Sequence, residues 1–194
     1  MRLLMIAPPG GGKGTQARGL AEHFGIEHIS SGDLLRQESR AGTQLGRRVE
    51  GYMERGDLVP DDAIVDLLLD RVIAAAAAGG YILDGFPRTR EQAEAAAKLA
   101  RDLDISLDAA INLEVPDEEV LRRLRERADL EGRADDNEST IRHRLEVYRD
   151  TTMPMLEYYD QRGVLINVDG ARPPDEVTAA ILAALPAATN ERSG

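Results

Sequence analysis

The clearest chemistry in the chain lies in Ala7-Pro8-Pro9-Gly10-Gly11-Gly12-Lys13-Gly14-Thr15. Glycines at this density let backbone N–H groups converge on anionic oxygens, and a helix starting at the end of the loop adds the positive end of its dipole. The lysine sharpens the reading. Of 24 Lys and Arg residues only Lys13 and Lys98 are lysines, so a compact ammonium, suited to bridging outer phosphates, stands where arginine is otherwise the rule. A glycine-rich turn with a solvated lysine is the alternative. The apolar run Leu3-Leu4-Met5-Ile6 before the loop and the helical pattern from Gln16 onward favour a phosphate-binding loop between a strand and a helix.

A second group is Gly80-Tyr81-Ile82-Leu83-Asp84-Gly85-Phe86-Pro87-Arg88. An apolar strand ending in Asp84 would set a carboxylate at the edge of a sheet beside the phosphate loop, where it could orient water around a phosphate-bound Mg²⁺. Arg88, after a proline-fixed turn, would aim a rigid guanidinium into the same cleft. Asp-Gly is also ordinary turn chemistry, so this group gains its meaning from the first.

The elements that must position these residues follow from periodicity. Strands are expected at 2–7, 27–29, 80–84, 108–114 and 164–168. Helices are expected near 14–24, 33–55, 61–78, 89–103, 117–126, 138–161 and 174–185. Strands alternating with helices imply a three-layer α/β fold with a five-stranded parallel sheet, and in such sheets ligands bind beyond the carboxyl ends of the strands. Two insertions interrupt the alternation: a helical segment over 30–59, and a short polar stretch over 127–137. The segment 186–194 reads as a frayed tail. With no cysteine, thiolate metal sites and disulfides are excluded. The net charge of −11 argues against non-specific nucleic-acid binding, so a phosphate site must be a local concentration of cations. No apolar run approaches ~18–20 residues, and no signal peptide precedes the first strand, so a cytoplasmic protein without membrane association is expected.

The chain resembles the adenylate kinases, a family of nucleoside-monophosphate kinases, from residue 1 to about 185. The family's loop reads G-x-P-G-x-G-K-G-T. Residues 7–15 match it apart from Ala7 in place of the first glycine, which Pro8 makes tolerable by biasing residue 7 toward extended backbone. Lys-Gly-Thr, rather than Lys followed directly by Ser or Thr, separates it from GTPases and motor ATPases. Ser30-Ser31-Gly32-Asp33-Leu34-Leu35-Arg36 is similar to the S-T-G-D-x-x-R motif, with Ser31 where Thr is usual. Asp84-Gly85-Phe86-Pro87-Arg88-Thr89 matches D-G-F-P-R-T, and Gln92 follows it. Gly132-Arg133-Ala134-Asp135-Asp136 and Thr140-Ile141-Arg142-His143-Arg144 resemble the lid-hinge segments.

The resemblance implies a P-loop fold, an AMP-binding insertion over 30–59, a short lid over 127–137 and a core of 1–29, 60–126 and 138–185. It implies reversible, Mg²⁺-dependent transfer of a phosphoryl group from ATP to AMP, giving ADP, by a monomer without structural zinc. Catalysis would rest on Lys13, Arg88, Arg123, Arg133, Arg144 and Asp84. ATP would be held by Gly10, Gly11, Gly12, Lys13, Gly14, Thr15, Arg123, Arg127 and Arg172. AMP would be held by Ser31, Arg36, Met53, Asp57, Leu58, Val59, Gly85, Phe86, Pro87, Arg88, Gln92, Arg133 and Arg144. Mg²⁺ would come with the nucleotide and be reached through water from Asp84, with Asp33 as a second carboxylate. Gln92 would read the adenine edge, since an amide can donate to N1 and accept from the N6 amine. A kinase of the same fold acting on UMP or CMP is the nearest alternative; a nucleotide-binding switch and an inactivated scaffold are more distant ones. The histidines at 23, 28 and 143 show no ligand spacing and read as structural.

Overall fold

The apolar run after Met1 forms β1 (Arg2–Ile6), and four further runs form β2 (Glu27–Ser30), β3 (Tyr81–Asp84), β4 (Ala109–Glu114) and β5 (Leu165–Asp169). These make one parallel sheet in the order β2-β3-β1-β4-β5. The structure, a computed structural model, describes residues 1–131 and 138–186.

Parallel neighbours require crossovers, and helices supply them. Side chains alternate across the pleat, so β1 feeds two cores at once. Leu3, Met5 and Ala7, with Ile111 and Leu113 of β4, pack on Ala17 and Leu20 of α1 (Lys13–Phe24) and on Val177 and Ile181 of α9 (Pro174–Ala184). Leu4 and Ile6, with Ala110, pack on Ala93 of α5 (Arg90–Asp102) and on Met155, Tyr158 and Tyr159 of α8 (Met153–Asp160). Leu3, Leu4, Met5 and Ile6 are all at most 2% exposed, and burial of such side chains contributes ~1.5–3 kcal/mol each. The three-layer α/β fold expected from the sequence is the one formed. The carboxyl ends of the strands share one edge: Met5 pairs with Asp84, Ser30 with Asp84, and Glu114 with Asp169.

The segment expected as one helix over 33–55 is two helices, α2 (Ser31–Ala41) and α3 (Gln44–Arg55). Gly42 ends α2 in a left-handed conformation, φ 62°, and Thr43 caps α3 by accepting the Gly46 N–H at 2.9 Å. With α4 (Asp61–Ala77) they surround a third core of Leu35, Val49, Val59, Ile64 and Leu68, closed by Ile29 and Phe86.

The expected helix over 138–161 is α7 (Glu138–Val147) and α8 joined by a π-turn at Tyr148–Thr152. Pro154, which lacks an N–H, sits in the first turn of α8, where no such donor is needed. α6 (Asp117–Glu131) runs past the expected end at 126, so the first residues of the expected lid continue that helix. Residues 132–137 of the lid and the tail beyond 186 lie outside the described residues. Among the described residues no helix is long and apolar enough to cross a membrane.

Candidate functional site

β1 delivers the chain into a loop whose shape depends on its glycines. Gly10 (φ 76°) and Gly12 (φ 89°) both adopt backbone open mainly to glycine, and a Cβ on Gly10 would lie 2.6 Å from Leu124 Cγ of α6. Gly11 is packed against its own loop: its N–H donates to Pro8 O at 2.9 Å, and a Cβ there would meet the Ala7 methyl at 2.9 Å. Ala7 is thus accommodated as a buried residue whose methyl rests on a glycine. α1 begins after Gly12 without a side-chain cap, which leaves the positive end of its dipole toward the loop. Lys13 Nζ donates to Ala7 O at 2.7 Å and to Pro8 O at 3.3 Å, so the ammonium lies over the loop.

Around this loop opens a cleft of about 720 Å³ at the carboxyl edge of the sheet. Gly10, Gly11, Gly12, Lys13, Gly14 and Thr15 line one side, and Asp33, Arg36, Leu58, Asp84, Gly85, Pro87, Arg88, Arg123, Arg144 and Arg172 the others. Residues far apart in sequence arrive here because Asp33, Arg36, Asp84, Arg88, Arg123 and Arg172 follow strand ends, while Leu58 follows α3 and Arg144 lies on α7 (Glu138–Val147). Asp84 closes β3, with its carboxylate 3.9 Å from where a Cβ on Gly14 would sit. Arg88 follows the turn containing a cis Phe86–Pro87 bond, and its Nε donates to Gly85 O at 2.6 Å. Burial pushes the Arg88 guanidinium down from its ordinary value, and the nearby charges of Arg144 and Arg36 push the same way against a smaller opposing pull from Asp84. Like charges facing one another across a cleft are the signature of a site built for an anion.

Three further arginines, Arg36, Arg123 and Arg172, are held by carboxylates. Arg36 pairs with Asp33 one turn back on α2, and its guanidinium lies over Gly32. Arg123 Nε donates to Glu119 at 2.6 Å. Hydrogen bonds from Arg122 and Arg123 bring the Glu119 carboxyl down to about 2. Arg172 reaches Asp169 at 3.1 Å, and Ala171 O accepts weakly from Arg123. Arg144 projects from α7, its stem over Gly56 at the end of α3.

Not every expected residue lines the cleft. Ser31, Met53, Asp57, Val59, Phe86 and Gln92 do not. Ser31 is buried at 1% exposure with its hydroxyl unpartnered, 2.6 Å from where a Cβ on Gly85 would lie. Asp57 accepts from Arg55 and pairs with His143 Nε2 at 2.7 Å, contacts that hold its carboxyl below the usual range. Gln92 is enclosed behind Arg88, donating to Asp61 and accepting from the Arg88 N–H. Arg127 lies on α6 with its side chain outside the description, and Arg133 lies outside the described residues.

Sequence reasoning missed the partners. Glu119 lines the cleft and clamps Arg123. His28, expected to be structural, carries Nε2 3.7 Å from Asp84 Oδ2 and has no hydrogen-bond partner there. His143 ties α7 to the exit of α3. The Glu119–Arg123 spacing of four on a helix was a readable signal; the other two depend on tertiary placement.

The adenylate kinase family model matches residues 5–164, most of the chain. The chain belongs to the adenylate kinase family. It is 51% identical over 183 residues to an adenylate kinase of Thermus thermophilus, covering 94% of this chain and 96% of that one. To one of Thermobifida fusca it is 46% identical over 185 residues, covering 95% and 98%. To one of Stenotrophomonas maltophilia it is again 46% identical over 185 residues, covering 95% and 99%. Membership makes this chain a nucleotide phosphotransferase, and the cationic cleft is the place in the described structure with the charge for that chemistry.

Proposed function

We propose that this chain reversibly transfers the γ-phosphoryl group of Mg-ATP to AMP, giving two ADP. The observation that carries the proposal is the convergence of Lys13, Arg36, Arg88, Arg123 and Arg144 on one cleft beside the phosphate loop. ATP and AMP together bring about six negative charges, of which Mg²⁺ offsets two. Cations fixed before the reaction stabilise the loose phosphoryl-transfer transition state without a protein nucleophile. Lys13 and the loop of Gly10, Gly11, Gly12, Gly14 and Thr15 hold the ATP phosphates, Arg36 and Arg88 hold the AMP phosphate, and Arg123 and Arg144 attend the group in flight. An anion between Arg88, Arg144 and Arg36 offsets the burial and the like charges that depress Arg88.

The carboxylates fit an ion that arrives with the nucleotide. Among the described residues no group of three or more His, Asp or Glu side chains gathers to hold a metal. Asp84 lies beside the phosphate loop, which suits contact through water with a hydrated Mg²⁺; Asp33 also lines the cleft. The ion supplies charge neutralisation of the phosphates.

Closure completes the site. Phosphate-side residues line the cleft while Ser31, Met53, Asp57 and Val59 stand outside it, which supports an open form in which the 30–59 insertion has yet to close. Closure brings these residues, with Leu58, Gly85, Phe86, Pro87 and Gln92, around AMP and adds Arg127 and Arg133 to Arg172 on the ATP side. Gln92 meets the adenine edge. The test is purified protein given ADP and Mg²⁺ alone. Equal amounts of ATP and AMP are expected; release of inorganic phosphate, or no reaction, would overturn the assignment.

A further inference from the structure

The amide of Gln92 is gripped from both ends by partners of opposite kind. Its Oε1 accepts the backbone N–H of Arg88 at 2.7 Å, and its Nε2 donates to Asp61 Oδ1 at 2.6 Å. Thr89, as the cap of α5, fixes the backbone beneath by accepting the Gln92 N–H at 3.2 Å. The side chain is only 4% exposed. The neighbouring carboxylate, Asp62, is engaged elsewhere by Arg48 at 2.8 Å, which leaves Asp61 for Gln92.

A backbone N–H can only donate and a carboxylate can only accept. Turning the Gln92 amide over would set N–H against N–H at Arg88 and oxygen against carboxylate at Asp61, losing both bonds at a buried group. A carboxamide held only at its oxygen can turn over to suit a ligand at the loss of one bond; this one would lose two. What remains uncommitted is one N–H on the Asp61 side and one lone pair on the Arg88 side.

We propose that Asp61 is a positioning residue for acceptor specificity: by fixing the polarity of the Gln92 amide it restricts the site to bases that pair an acceptor with an adjacent amine. The inference rests on the reading that Gln92 faces the acceptor base. Adenine offers that pattern with N1 and its N6 amine, and cytosine with N3 and its N4 amine. Hypoxanthine and uracil present the reverse, a ring N–H beside a carbonyl oxygen, which a turned amide would read. Asp61 therefore discriminates by polarity, while base size is left to other walls of the site.

The test is a comparison of kcat/KM for AMP, CMP and IMP as acceptors, at saturating Mg-ATP, in the wild type, Asp61→Ala and Asp61→Asn. In Asp61→Ala the preference for AMP over IMP is expected to fall at least tenfold, through a lower KM for IMP, while the preference for AMP over CMP stays within twofold. Asp61→Asn keeps shape and can either accept or donate, so it is expected to fall between; it also serves if the alanine variant folds poorly. A merely structural lesion would lower all the acceptors together. An AMP-to-IMP preference unchanged within twofold in both variants would overturn the role of Asp61 alone. A wild type that leaves AMP unphosphorylated would overturn the reading of Gln92 on which the inference stands, and the inference with it.

Discussion

Two cavities flank the Phe86-Pro87-Arg88 turn, and they are built from opposite materials. On one side lies the cleft of about 720 Å³, walled by glycines and arginines. On the other lies a cavity of about 370 Å³ between α4 and α5, walled by Leu68, Val72, Leu83, Phe86 and a run of small residues that includes Ala93, Ala96 and Ala100. The first gathers like charges that repel until an anion enters, so it serves chemistry at some cost to the folded state. The second holds few charges and lacks bulk, because α5 presents alanines where larger side chains would reach α4. Lesions in the cleft should move activity and spare stability, and lesions among the alanines and aliphatic side chains of the cavity should do the reverse.

The largest effect expected is at Lys13. Lys13→Met should lower turnover by far more than tenfold, a barrier rise above ~1.4 kcal/mol, with the unfolding midpoint nearly unmoved. More than a tenth of the activity surviving, or a parallel loss of stability, would break the comparison from the cleft side. Next comes Ala96→Leu, which adds bulk to the apolar cavity. A gain of about 1 kcal/mol in urea unfolding with turnover within twofold of wild type is expected; a drop in turnover would mean that the two cavities are coupled.

The last effect concerns pH and leaves activity at neutral pH aside. Tyr81 lines the apolar cavity, donates to Ile105 O at 3.0 Å, and is pushed by burial from 10.0 up to about 12. The folded state therefore holds this proton more tightly than the unfolded chain. The associated stability is complete below pH 10 and is lost as pH rises through about 12, a contribution on the order of 2 kcal/mol. Burial raises Tyr159 in the same direction. Tyr81→Phe should lose about 1 kcal/mol at neutral pH with its hydrogen bond, yet decline less steeply between pH 10 and 12. Equal slopes in wild type and variant, by urea midpoints across that range, would remove Tyr81 from the account.

The glycine-rich loop between β1 and α1 was legible in the sequence because its pattern is local: strand, glycines, lysine and helix follow one another within a few positions. The sheet was legible for a similar reason, since both faces of every inner strand are buried and the apolar runs stand out. The break between α2 and α3 was missed because the amphipathic rhythm continues across it, although Gly42 followed by Thr43 is a stop signal beside a start signal. The pairings of Gln92 with Asp61 and of Asp57 with His143 join residues 31 and 86 positions apart. Only the folded chain brings such partners together, and no local pattern announces them.

The π-turn between α7 and α8 carries a consequence for how this segment can vary. Arg144 and Val147 on one side of it line the cleft, while Met155, Tyr158 and Tyr159 on the other plug the core beneath β1 and β4. The widened turn sets the phase between these two stripes, as a spacer sets the phase between gears. Each residue of an α-helix advances the direction of its side chains by about 100°. Exchanging one side chain for another within the turn leaves that phase alone, whereas removing a single residue would swing Arg144 and the tyrosines out of register with each other. Over this stretch, chain length is under tighter constraint than residue identity.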